Sequence, residues 1–234
     1  MSEETVLHFE EIDSTNAYFK RTWETSPEFA FAFAAHQTQG KGRGERSWED
    51  EAGKNCLFSL LIKKKDLVSY GGFLSLVASV AVGQVVESYG IDEVTIKWPN
   101  DVYVAGKKVA GILLEGQLPS YVILGIGINV NQTRFGSTRI APTSLCLELE
   151  KTLDLREFEA KITAKLRSIL EEDALDKEHF LSYYRDHDYL LGKEVSKEGK
   201  RYRVIGVDEE FRLCCQDDNG DTFAFVSGEV DPIG

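Results

Sequence analysis

Apolar and polar positions repeat along this chain with two different periods. Phe158, Ile162, Leu166 and Ile169 step by four, four and three, which is the stripe of an amphipathic helix that covers a sheet face. Residues 73–86 carry apolar side chains at mixed three and four spacing, so a largely buried helix is expected there. Asp13-Ser14-Thr15-Asn16 puts capping residues ahead of a helix-like run that includes Tyr18 and Phe19, and a further short helix is expected near residues 180–185. The β-like stretches are residues 29–38, 57–62, 94–98, 101–104, 107–115 and 121–131. Residues 40–54 are glycine-rich and charged without a sustained apolar period, which predicts a long loop rather than packed structure.

Beyond Leu191-Gly192 the pattern is β throughout. Tyr202, Val204, Phe211, Leu213, Phe223 and Phe225 alternate around the turn signal Asp218-Asn219-Gly220-Asp221. The chain therefore reads as α+β, with a larger domain over residues 1–188 and a small β-barrel over residues 189–234. The barrel is near the lower size at which a domain folds unaided, so it is expected to lean on the larger one.

Length and composition narrow the class. The 234 residues are 42% apolar and 28% charged, the balance of a globular protein rather than of a disordered, collagenous or membrane-spanning chain. Lys and Arg number 27 against 39 Asp and Glu, and the net charge of -12 disfavours general binding to nucleic acid. Cys56, Cys146, Cys214 and Cys215 form no C-x-x-C pair and read as reduced, structural thiols. Met1-Ser2-Glu3-Glu4 lacks the features of a secretory signal and no apolar run spans a membrane, so a cytoplasmic protein is expected.

Against this acidic background, Gly40-Lys41-Gly42-Arg43-Gly44-Glu45-Arg46-Ser47-Trp48 holds three cations and one anion. Glycines on alternate positions let backbone N–H groups approach phosphate oxygens, and Arg43 and Arg46 can make bidentate contacts. A solvated surface loop would have the same composition. Lys97-Trp98-Pro99-Asn100-Asp101 sets a lysine in a core-like strand that Pro99 ends, and Asn100-Asp101 then begin a turn that can cap or bind. Lys107 and Lys108 follow Gly106 beside Val109, Ala110 and Gly111, where a lysine can reach a neighbouring cleft or simply face water.

In residues 121–131 one face carries Leu124, Ile126, Ile128 and Val130, and the other carries Gly125, Gly127, Asn129 and Asn131. Such a bare face makes room for something flat against the backbone, either a ligand or a packed helix. No P-loop is present, and Gly125-Ile126-Gly127 has Val130 where a dinucleotide fingerprint needs glycine. His8, His36, His179 and His187 show no metal spacing, and no G-x-S-x-G elbow points to a hydrolase.

Asp13 to Asn16, Gln37 with the Gly40 to Trp48 loop, Lys97 to Asp101, Lys108 to Gly111 and Gly125 to Asn129, in this order, resemble the biotin protein ligases. The resemblance implies a mixed-sheet catalytic domain with helices packed on it and a C-terminal SH3-like barrel. It also implies an ATP-dependent, AMP-forming enzyme that makes biotinoyl-5'-AMP and passes biotin to a lysine of a biotin carboxyl carrier protein of acetyl-CoA carboxylase. By similarity, Ser14, Thr15, Asn16, Gln37, Gly40, Lys41, Gly42, Arg43, Lys108, Gly111, Gly125 and Gly127 fall at the biotin site. Arg43, Arg46, Trp48, Lys97, Asn100, Asp101 and Asn129 fall around ATP, with Lys108 and Arg43 as the catalytic cations. Mg²⁺ is implied with ligands unassigned.

Lys41 stands where the family usually has arginine, which leaves a contact through its backbone N–H. The motif begins by Asp13, ahead of which no DNA-binding helix-turn-helix is expected, so neither DNA nor a membrane is an expected partner; monomer and homodimer stay open. Two other readings are a lipoate or octanoate ligase or transferase of the same fold, and a non-catalytic module that binds biotin or nucleotide.

Overall fold

Antiparallel pairing between neighbouring hairpins builds most of the main sheet. A computed structural model describes residues 5–136, 140–171, 175–226, 228 and 230–233; residues 1–4, on which the leader reading rests, lie outside these. The strands are β1 (Thr5–Phe9), β2 (Phe29–Ala34), β3 (Cys56–Ile62), β4 (Val94–Lys97), β5 (Asp101–Val104), β6 (Lys107–Gln117) and β7 (Tyr121–Ile128), in the order β1-β2-β3-β7-β6-β5-β4. Only the β1–β2 pair among them is parallel, so the sheet is mixed.

Strand alternation gives the sheet two unlike faces. Phe31, Phe33, Leu60, Ile112, Leu124, Ile126 and Ile128 point into the main core, beneath α3 (Phe73–Glu87) and α5 (Leu155–Leu170). Phe158, Ile162, Leu166 and Ile169 of α5 are buried as the stripe predicts, and Asp154 caps this helix by accepting from the N–H groups of Arg156 and Glu157. On the opposite face α1 (Thr15–Thr22) covers only one end, where Phe19 meets Ala30, Ala32, Leu61, Tyr121 and Ile123. The rest of that face carries Ser59 of β3, Gly111, Leu113 and Glu115 of β6, and Gly125 and Gly127 of β7.

After α6 (Lys177–Asp186) the chain forms β8 (Glu194–Lys197), β9 (Lys200–Val207), β10 (Leu213–Gln216), β11 (Thr222–Phe225) and β12 (Asp231–Pro232). They make an antiparallel sheet in the order β11-β10-β9-β8-β12, compatible with the expected SH3-like barrel. Val195, Val204, Phe211, Leu213 and Cys215 join the main core, and Trp98 Nε1 donates to Phe211 O at 2.9 Å, so the small unit is packed onto the large one.

Three elements have no counterpart in the sequence reading: β1, α2 (Lys65–Val68) and α4 (Leu145–Leu149). All are short, and β1 is an edge strand whose five residues all pair with β2, more than twenty residues further along the chain. The strands expected to reach residues 38 and 131 end at Ala34 and Ile128, where their last residues turn to serve the site. The four cysteines are free thiols. No helix among the described residues is long and apolar enough to cross a membrane.

Candidate active site

The N-terminus of α1 fixes the polar end of the site. Ser14 is its N-cap, Oγ accepting from Ala17 N, and Asp13 just before it holds a two-pronged contact with Arg21 at 2.6 and 2.9 Å. That contact lowers the Asp13 carboxyl to about 2. Thr15 and Asn16 are thereby buried against the uncovered sheet face. Thr15 N and Oγ1 donate to Gln37 Oε1 at 2.8 and 3.2 Å, and Ser59 Oγ lies 2.7 Å from Thr15 Oγ1 and 2.5 Å from Asn16 Oδ1. Gln37 is itself placed by a parallel bridge to Ile12 that extends the β1–β2 pairing. Beside it His36 Nδ1 meets Asp50 Oδ2 at 2.8 Å, which raises the imidazole pKa.

Residues 40–48 do not form an open loop. Trp48 N donates to Gly40 O at 2.9 Å and Gly42 N to Arg46 O at 2.8 Å, with Lys41 bridged to Ser47, so the segment is a small hairpin. A Cβ on Gly40 would stand 2.5 Å from Trp48 O, and Gly44 at the tip has φ +65°, so both positions require glycine. The hairpin lays the Trp48 indole against Gly127 and Gly111, where added Cβ atoms would stand 2.6 and 3.0 Å from the ring. An added Cβ on Gly125 would collide with the Asn16 amide. The bare strand face seen in the sequence thus first makes room for two of the protein's own side chains. Trp48 Nε1 is buried with no hydrogen-bond partner among the described residues, a donor left for a bound group.

Arg43 turns inward from the hairpin. Its Nη1 lies 3.4 Å from both Asn100 Oδ1 and Gly228 O, and Asn100 is held by donating its amide to Ile112 O. Burial lowers the Arg43 pKa, with Asp101 opposing and Arg46 adding to the shift. Lys108 enters from β6, its Nζ 2.7 Å from Asp101 Oδ1 and 5.7 Å from the centre of the Trp48 ring.

These groups enclose two adjoining cavities. One, of about 120 Å³, is lined by Ser14, Thr15, Asn16, Gln37, Lys41, Gly42, Arg43, Arg46, Trp48, Asn100, Asp101, Lys108, Gly111, Gly125 and Gly127. The other, of about 250 Å³, lies between Trp48, Lys108 and Asn129 on one side and Phe135, Ile140 and Pro142 on the other. Trp48, Lys108 and Arg46 line both. Asn129 anchors the second wall, its Nδ2 donating to Thr143 O at 2.9 Å.

Two expected residues line neither cavity. Gly40 serves the hairpin, and Lys97 is buried with its Nζ 3.6 Å from Asp231 Oδ1 of the C-terminal sheet. Sequence reasoning missed Ser59 and Glu115, which hold Asn16, and the apolar wall of Phe135, Ile140 and Pro142. Ser59 carried a signal, a lone hydroxyl in an apolar strand run, whereas the wall comes from a stretch without periodicity.

The arrangement can do three things. It offers a buried amide and hydroxyl end to a neutral polar group, an apolar slot to a flat ring, and, around the small cavity, the cations Lys41, Arg43, Arg46 and Lys108 against the carboxylate of Asp101, with Arg46 and Lys108 reaching the second cavity too.

The model of the biotin/lipoate A/B protein ligase family matches residues 8–131. The chain is 35% identical over 211 residues to the bifunctional ligase/repressor BirA of Salmonella typhimurium, an alignment covering 86% of this chain and 63% of that protein. It is 33% identical over 221 residues to the biotin--[acetyl-CoA-carboxylase] ligase of Mycobacterium tuberculosis, covering 84% and 76%. The chain therefore spans less than two thirds of the ligase/repressor's length. The structure of biotin protein ligase from Aquifex aeolicus in complex with biotin and ATP superposes with a TM-score of 0.81 at 29% identity, covering 97% of each chain.

Proposed function

Because the chain belongs to the biotin/lipoate A/B protein ligase family, we propose that it is an ATP-dependent biotin protein ligase. It joins biotin to AMP with release of pyrophosphate, then transfers biotin from the biotinoyl-5'-AMP to a lysine of a biotin carboxyl carrier protein of acetyl-CoA carboxylase. The observation that carries this reading is the position of Lys108, whose side chain lines both cavities and so lies where two ligands would meet. The likeness to a ligase bound to biotin and ATP supports it.

In this reading the ureido head of biotin lies at Thr15, Asn16 and Gln37, which supply the donors and acceptors that a cyclic urea requires and an apolar lipoyl or octanoyl chain does not. Its carboxylate points toward Lys108. Adenine takes the cavity walled by Trp48, Phe135, Ile140 and Pro142, with Asn129 beside it. The carboxylate oxygen attacks the α-phosphorus and the bond to pyrophosphate breaks. Two anions must meet for this, so Lys108 and Arg43 offset their repulsion and stabilise charge on the phosphoryl group in flight. Lys97, held by Asp231, is outside this clamp. In the second step a neutral carrier lysine attacks the acyl carbon and AMP leaves; between the steps the Gly40–Trp48 hairpin keeps water from the mixed anhydride.

Among the described residues no cluster of three or more His, Cys, Asp or Glu could hold a metal ion. The chain therefore fits Mg²⁺ brought on the triphosphate, with Asp101 as the carboxylate at hand, rather than in a protein cage. Such an ion supplies charge neutralisation to the departing pyrophosphate. The proposal assigns residues 1–188 to the catalytic domain and 189–234 to the SH3-like domain. It places the protein in the cytoplasm, in keeping with four free thiols.

The test is pyrophosphate release from ATP with biotin, followed by the mass of the product on a carrier fragment. Release that depends on biotin and a carrier mass increased by one biotin are expected. Release with lipoic acid instead, or tight biotin binding with no release, would count against the ligase reading.

A further inference from the structure

Glu115 belongs to none of the groups assigned to ligand or chemistry, yet it ends a buried chain of hydrogen bonds that runs beneath the small cavity. Its Oε2 accepts from Asn16 Nδ2 at 2.9 Å and its Oε1 meets Lys20 Nζ at 2.5 Å. Asn16 Oδ1 lies 2.5 Å from Ser59 Oγ, Ser59 Oγ lies 2.7 Å from Thr15 Oγ1, and Thr15 donates through both N and Oγ1 to Gln37 Oε1. The side chains of Thr15, Asn16 and Ser59 are buried.

Most members of this chain could turn either way, since an amide or a hydroxyl offers both donor and acceptor. An ionised carboxylate only accepts. With Glu115 at the end, Asn16 must give its Nδ2, so its Oδ1 faces Ser59 and Gly125. At the other end two Thr15 donors occupy Gln37 Oε1, so the group Gln37 can offer the cavity is its Nε2 donor. The cavity then shows an acceptor at Asn16 and a donor at Gln37.

We propose that Glu115 is a positioning residue that holds the Asn16 amide with Nδ2 toward the carboxylate and Oδ1 turned away from it, while the Thr15 N–H fixes Gln37 independently, so that the cavity selects a ligand head carrying N–H donors beside a C=O acceptor. The inference rests on the reading of the cavity as a biotin site, and it deepens that reading by naming what enforces the choice of head group. Lys20 holds the second carboxylate oxygen at the surface and has no part in directing Asn16.

The test uses the full chain and steady-state adenylation measured by pyrophosphate release. Glu115→Gln keeps the shape but can donate or accept, so it removes the shorter of the two contacts that orient the Asn16 amide, leaving the Leu113 carbonyl at 3.5 Å from Nδ2. A rise of about tenfold in the KM for biotin is expected, the size of one lost charge-assisted hydrogen bond. kcat, the KM for ATP and the inhibition constant of lipoic acid should stay within twofold. Lys20→Met should leave all four unchanged. If Glu115→Gln does not fold, Glu115→Asp serves: it keeps the charge but draws the carboxylate back from Asn16 Nδ2, so a raised KM for biotin is expected and an unchanged one overturns the inference. An unchanged KM for biotin in Glu115→Gln overturns the inference, as does an equal loss of biotin and lipoic acid affinity or an equal effect of Lys20→Met. Wild-type protein that fails to bind biotin would instead overturn the functional reading, and the inference with it.

Discussion

Lys108 is ion-paired with Asp101 across the β5–β6 hairpin, Nζ to Oδ1 at 2.7 Å, with the Trp48 ring beside it. The bulge between Val102 and Tyr103 sets this geometry, because it pairs Tyr103 with Lys108 while Asp101 pairs with Gly111. The lysine is therefore held at the junction of the two cavities before any ligand arrives, and no ordering of a long flexible side chain opposes its action.

Replacing that lysine tests its role. Lys108→Ala should lower kcat for biotin-dependent pyrophosphate release by about 100-fold or more, the scale for removing a group that stabilises transition-state charge. Biotin affinity, measured by calorimetry without ATP, should change by less than tenfold. Equal turnover in the variant would remove Lys108 from the chemistry.

The glycine under the indole makes a separate prediction. In Gly127→Ala the new methyl would stand 2.6 Å from the Trp48 ring, closer than atoms pack, so the indole must leave its seat. The KM for ATP should rise by about tenfold, on the order of the effect of misplacing a binding group, and tryptophan emission should shift to the red. Unaltered emission and KM would show that the indole does not depend on this seat.

Mobility of the hairpin can be read by limited proteolysis. The backbone hydrogen bonds of residues 40–48 include Trp48 N to Gly40 O and Gly42 N to Arg46 O, and Arg43 reaches from the hairpin to Asn100 and Gly228. Cleavage after Lys41, Arg43 or Arg46 should slow by at least fivefold when biotin and ATP are both present, by analogy with lids that order on closure. Identical rates with and without ligands would speak against a lid.

The Asp13–Arg21 pair gives stability a defined pH dependence. Its carboxyl is lowered from 3.8 to about 2 when folded, so the pair's contribution is fully present above about pH 4 and disappears as pH falls toward 2. The pair is partly exposed, so the gain is small and screened by salt. Arg21→Ala should bring the Asp13 carboxyl back toward 3.8 in an NMR titration and make the fall in melting temperature between pH 4 and pH 2 slightly shallower, the other lowered carboxyls still titrating. A carboxyl that still titrates near 2 would assign the shift to the helix N-terminus instead.

Much of this fold and site is legible in the residues because the signals are local. The stripe from Phe158 to Ile169, the Ser14 cap, the turn at Pro99 and the alternation of Ile126 and Ile128 with Gly125 and Gly127 each depend on neighbours in sequence, where periodicity and capping chemistry decide the outcome. The cationic island at residues 41–46 stood out against a net charge of -12 for the same reason.

What the tertiary structure alone decided are relationships between distant segments. Five residues of β1 become a strand only because β2 is there to pair with them, and the charged loop becomes a hairpin whose Trp48 finds its seat some 80 residues further on at Gly127. Lys97, indistinguishable in sequence from a ligand-facing cation, is turned toward Asp231 by the packing of the second sheet. Glu115 gains its place next to Asn16 only when β6 crosses under α1. Composition and spacing say which groups a chain possesses; which of them face each other depends on sheet order and on the burial of unlike faces, and these are settled by long-range packing.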